Sequence, residues 1–194
     1  MCGRKAVIRA LKDMSKPFEW GNPAAVEGYI ESMWSENDRG VIILQGGIVE
    51  QLLEDALKAK MPHLNTDERD KLFGYNAPIT TFSNKMRVAN AMGLVSRQMM
   101  GKIDLFREMR NACAHSREPI SFQSDQIFNA VVCLVSDMRI GIPRKDDHEG
   151  IKMAFLLMGL LIMGTVVTGS VNEGHNRLVK YLNEHPTSHG IPAQ

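Results

Sequence analysis

The chain has 194 residues, 44% of them hydrophobic and 23% charged, a balance that fits one globular domain able to bury a sizeable core. Lys and Arg total 23 against 22 Asp and Glu, and the net charge of +1 excludes the strongly basic class that coats nucleic acid, so any polyanion contact must be local. Cys2, Cys113 and Cys133 are odd in number and lack CxxC spacing, which argues against a disulfide framework and for a reducing, cytoplasmic setting.

Taken in chain order, the patterns are helical, and the expected fold class is all-α. Arg4, Lys5, Arg9 and Lys12 interrupt Ala6, Val7, Ile8, Ala10 and Leu11, which suits an amphipathic helix and leaves no uninterrupted apolar run for a signal peptide. Residues 1–37 are expected to form a helical extension ahead of a bundle domain over 38–183. Asp38 is placed to cap a long helix in which Val41, Ile42, Leu44, Ile48, Val49, Leu52, Leu53, Ala56 and Leu57 recur every three or four residues until Pro62. Within it, Gly46-Gly47 lacks the preceding strand and following Lys of a phosphate loop, and is expected to permit close helix approach.

Phe73-Gly74-Tyr75-Asn76-Ala77-Pro78 suits a structured loop before a short helix capped by Ser83, carrying Met86, Val88, Ala89 and Met92 and ended by Gly93. Ser96 then caps a helix whose stripe Met99, Ile103, Phe106, Arg110 and Cys113 puts Arg110 on the inward face. Pro119 closes it near Ser116. Ser124 or Asp125 opens a helix through Ile127, Phe128, Val131, Val132, Leu134, Val135 and Met138, terminated by Gly141 and Pro143.

From Met153 to Val171 no residue is charged, a length near the minimum for a bilayer span. Thr165, Thr168, Ser170 and the glycines Gly159, Gly164, Gly169 and, just beyond the run, Gly174 dilute it, and its flanks lack an aromatic belt, so a buried core or dimer-interface helix is the expectation over a membrane span. A short amphipathic turn through Leu178, Tyr181 and Leu182 leads to residues 184–194, expected to be a disordered tail.

The chemistry concentrates in Arg110-Asn111-Ala112-Cys113-Ala114-His115-Ser116. A permanently charged guanidinium near an imidazole that titrates close to neutrality suits a phosphodiester. Asn111 and His115 share a helix face, whereas Arg110 is about 140° from His115, and only its length lets both reach one phosphate. Metal-independent RNA cleavage needs a base, an acid and a cation, so one such motif is too few and two facing across a twofold axis would suffice. A structural alternative stands beside this: an Arg at a helix end can bond the free carbonyls there, while Asn and His tie down the next loop.

The string FREMRNACAHS resembles the signature of HEPN domains, helical modules that include many metal-independent ribonucleases acting as dimers. The wider series DRGVIILQGGIVEQLLEDAL, LFGYNAPITTFSNKMRVANAMGLVS, the heptapeptide and EPISF, from about Asp38 to Phe122, is similar to the mannitol operon repressor family, itself HEPN-like in helical layout. The matching positions are Asp38, Arg39, Phe73, Asn76, Pro78, Phe82, Ser83, Gly93, Arg110, Asn111, Ala114 and His115. The resemblance implies an HEPN-like bundle and a cytoplasmic transcriptional regulator. No helix-turn-helix with polar recognition side chains is legible, so repression would run through another protein or RNA.

The expected function is therefore regulatory, by a homodimer contacting protein or nucleic acid, RNA more than DNA, with a membrane role disfavoured. A metal-independent endoribonuclease, with His115 as acid or base, Arg110 holding the phosphate and Asn111 orienting it, is the alternative; a non-catalytic interaction module is a third. His63, His115, His148, His175, His185 and His189 have no HExxH spacing and the cysteines are scattered, so neither metal nor cofactor is expected.

Overall fold

The structure is a computed structural model describing residues 23–136 and 141–169. Among these the chain forms seven helices and no strand: α1 (Pro23–Ser35), α2 (Asp38–Ala59), α3 (Thr66–Phe73), α4 (Phe82–Ala91), α5 (Arg97–His115), α6 (Asp125–Val135) and α7 (His148–Thr168). The basic helix expected near the N-terminus, the turn through Leu178 and the tail over 184–194 lie outside the described residues.

α2, α3, α4, α5 and α7 each begin where a side chain takes a free backbone N–H. Asn37, one residue before the expected cap, accepts from Gly40 N at 2.9 Å, because the Asp38 carboxylate is committed to tertiary contacts described below. Thr81 caps α4 two residues before Ser83, whereas Ser96 caps α5 as expected, through Met99 N. The Ser124 hydroxyl accepts from Ser121 N, bracing the preceding turn and making no bond to α6. Short α3 was not anticipated; it opens on a reciprocal capping box in which Asn65 accepts from Glu68 N and Glu68 from Asn65 N.

α2, α5, α6 and α7 form the centre, with α4 laid against α2 and α5. The start of α2 meets the end of α5 through Arg39 and Cys113, and Gly46 meets Arg110, so these two helices run antiparallel. Asp38 meets His148 and Gln45 meets Leu156, so α2 and α7 run in the same direction. α1 adds Val26, Tyr29, Ile30 and Met33 to the same core.

Every residue of α7 from Ile151 to Val166 is buried. Its length and composition would allow a membrane crossing, but here its apolar circumference is taken up by neighbouring helices, as for the innermost helix of a bundle. Asp147 starts it by accepting from Gly150 N, and Gly169, at φ +69°, ends it in the left-handed conformation that glycine adopts without strain. At its centre Phe155 stacks on Phe106 of α5 with ring centroids 4.6 Å apart and meets Phe122 at 5.4 Å.

Candidate functional site

α5 carries the sequence-predicted residues on its last two turns. Met99, Ile103, Phe106 and Cys113 are buried as the stripe requires, but Arg110 only half follows them: its side chain is 35% exposed. The stem lies on Gly46 of α2, where a Cβ would come within 2.8 Å of Arg110 Cβ. The expected close approach is thus made at Gly46, while Gly47 faces open space.

The head of Arg110 reaches Glu50 Oε2 at 3.5 Å and donates from Nη1 to Asn111 Oδ1 at 3.4 Å. These are long contacts that occupy two of five N–H donors, so the guanidinium keeps capacity for an anion. Arg110 and Asn111 are therefore brought together. His115, the last residue of α5, is exposed, and no polar contact among the described residues joins it to Arg110.

Behind Arg110 runs a charge network that the sequence did not disclose. Lys85 of α4, buried, pairs with Glu50 at 3.1 Å and Glu54 at 2.8 Å, and Glu54 also pairs with Lys58. Burial pushes the Glu54 carboxyl up, but the hydrogen bonds and the positive charges of Lys58 and Lys85 together outweigh it and hold its pKa below the ordinary value. Burial likewise pushes Lys85 down, and the hydrogen bonds to Glu54 and Glu50 together with their negative charges reverse the sign and hold it above. Three cations thus share two carboxylates, with Arg110 the most exposed of the basic members at this end of the network.

A second cluster closes the other side of the α5 terminus. Arg39 Nε donates to Cys113 O at 2.8 Å, and its Nη2 donates to Ser116 O. The adjacent Asp38 accepts from Phe122 N at 2.9 Å and holds His148 Nε2 at 2.9 Å from both carboxylate oxygens. The Phe122 ring meets His148 edge-on at 6.3 Å. Asp38 and Arg39 stood among the matching positions of the resemblance; His148, 110 residues from Asp38, carried no local signal.

Arg39 belongs to a pattern, since three cations donate to backbone carbonyls at the ends of three helices. Lys102 Nζ donates to Leu134 O of α6 at 2.6 Å, and Lys152 Nζ donates to Trp34 O in the last turn of α1 and to Glu36 O just after it, at 2.6 and 2.7 Å. Sequence reading missed both lysines, because helix-end capping by a residue more than 30 positions away has no periodic trace.

Cys113, under Arg39, is buried, and that burial pushes its thiol pKa up although the Arg39 charge opposes the shift, which disfavours the thiolate a nucleophile needs. Among the described residues, no group of three or more His, Cys, Asp or Glu is placed to hold a metal. The arrangement therefore offers a half-exposed guanidinium with an amide beside it, an exposed imidazole on the same helix end, and a backbone there fixed from α2. No protein-family model, curated protein or solved structure matches the chain.

Proposed function

We propose that the protein is a cytoplasmic regulator of the kind its sequence resembles, the mannitol operon repressor family, built on an HEPN-like bundle and acting as a homodimer through the C-terminal turns of α5. The observation that carries this reading is the state of Arg110: partly neutralised by Glu50 and tied to Asn111, yet still 35% exposed with donors to spare. Such a group suits reversible recognition of an anionic surface better than a cation reserved for a transition state. In a bacterial strain carrying a mannitol-operon promoter fused to a reporter, the chain is expected to lower the reporter signal, and Arg110→Ala is expected to relieve that effect. An unchanged signal with the parent chain would reject the regulatory assignment.

Exposure of His115 on the same helix end favours a second reading, endoribonucleolytic cleavage, with His115 as acid or base, Arg110 on the phosphate and Asn111 orienting it. It requires two copies, since one imidazole cannot act as base and acid in the same step. Cleavage of single-stranded RNA that persists in EDTA, sediments with a dimer and disappears in His115→Ala is the expected signature. Intact RNA with a clean dimeric preparation would remove it and leave recognition without chemistry.

A further inference from the structure

We propose that Asp38 and Arg39 form a latch that positions His115, so that the imidazole is presented from a backbone fixed by a neighbouring helix; this rests on the proposed role of the α5 terminus. The last carbonyls of a helix have no partner within it, and such an end frays unless something outside holds it. Arg39 supplies that hold at two points. Its Nε takes Cys113 O and its Nη2 takes Ser116 O, the carbonyls on either side of Ala114 and His115.

The planar fork of arginine serves Cys113 O from Nε and Ser116 O from Nη2, two donors held apart on a rigid plane, whereas a lysine ammonium offers its three donors from one atom and does not reproduce that spacing. Asp38 holds the chain on the far side. Its carboxylate takes Phe122 N, just beyond the exposed run Arg117 to Pro119, and is itself pinned by His148 at the start of α7. Phe122 is fully buried and packs against Phe155, so this second anchor is rooted in the core. Two consecutive residues of α2 thus fasten the chain before and after the segment that carries His115. Arg39 and Asp38 act through that backbone and are positioning residues.

The test uses the full chain with Arg39→Lys, Arg39→Ala and His115→Ala, read by imidazole NMR signals, hydrogen exchange and the promoter reporter. The His115 signals are identified by their loss in His115→Ala. The expected result for Arg39→Lys is a parent-like unfolding temperature, His115 signals moved toward those of an unstructured histidine, and a Ser116 amide exchanging about tenfold faster. Its repression falls as far as in His115→Ala, and combining the two changes adds nothing. If Arg39→Ala fails to fold, Arg39→Lys alone decides. Unmoved His115 signals with unchanged Ser116 exchange would overturn the latch. Full repression by His115→Ala would instead reject a share for His115 in the anion-recognising surface at the α5 terminus, with the NMR and exchange results still deciding whether Arg39 positions that residue.

Discussion

Gly46 and Gly47 are adjacent on α2 and differ in what a methyl group would meet. At Gly46 a Cβ would press on Arg110 Cβ at 2.8 Å and Cγ at 3.0 Å, backed by the α5 chain itself. Gly46→Ala is expected to cost about 1–3 kcal/mol in urea unfolding, the range for overpacking, and to displace Arg110. Gly47→Ala meets nothing within 4 Å, and the gain in helix propensity is expected to stabilise by about 0.5–1 kcal/mol. Gly159 presents the same problem deeper in the core, since a Cβ there would overlap the Gln45 amide, which lies fully buried and donates to Leu156 O at 3.1 Å. Gly159→Ala is expected to destabilise, and adding Gln45→Ala to recover part of the loss. Additive losses in the four-variant thermal-unfolding cycle would show that the two positions do not compete for the same space.

At the scale of the element, helix ends are closed by cations from helices distant in sequence. α1 ends on Trp34 O and Glu36 O, both held by Lys152, whose ammonium also lies 5.3 Å from the Trp34 ring centroid. Burial holds the Lys152 pKa below its ordinary value, against the pull of Asp38 and Glu36. Lys152→Met keeps the apolar stem and removes the donors. The expected loss is about 1–3 kcal/mol, with hydrogen exchange rising first in α1 and the turn after it. Exchange rising uniformly across the bundle would show that Lys152 supports the core as a whole and has no special role in closing α1.

For the whole molecule, the linked charges predict how stability follows pH. Glu54 has a folded pKa below its ordinary value of 4.5, so its contribution is present above that pH and is lost as pH falls through the depressed value. Lys85 has a folded pKa above its ordinary value of 10.5, so its contribution is full below that pH and is lost as pH rises through the raised value. Lys152 has the opposite sign: its burial cost is relieved as pH climbs toward 10.5. Unfolding curves across pH are expected to show an acid loss that Glu54→Gln reduces, and the same acid slope in parent and variant would refute the assignment.

Periodicity made the helices legible because a buried stripe leaves a local trace, and the heptapeptide was legible because Arg110, Asn111 and His115 are neighbours in the chain. α3 had only Leu72 and Phe73 as apolar support, and its signal was the Asn65–Glu68 cap alone. The apolar run after Lys152 admitted both a core and a membrane-spanning reading, since composition records hydrophobicity and is silent on what meets it. Sequence by itself therefore determined the helical class, the stripes of the longer helices and the nearness of Arg110, Asn111 and His115 in the chain, all set by spacings within about four residues. Only the tertiary structure decided that Glu50 and Gly46 hold Arg110, that Arg39 closes the turn bearing His115, and that Asp38 meets His148. Those pairings join residues far apart in the chain, and they arise from the direction in which α2 lies against α5 and α7.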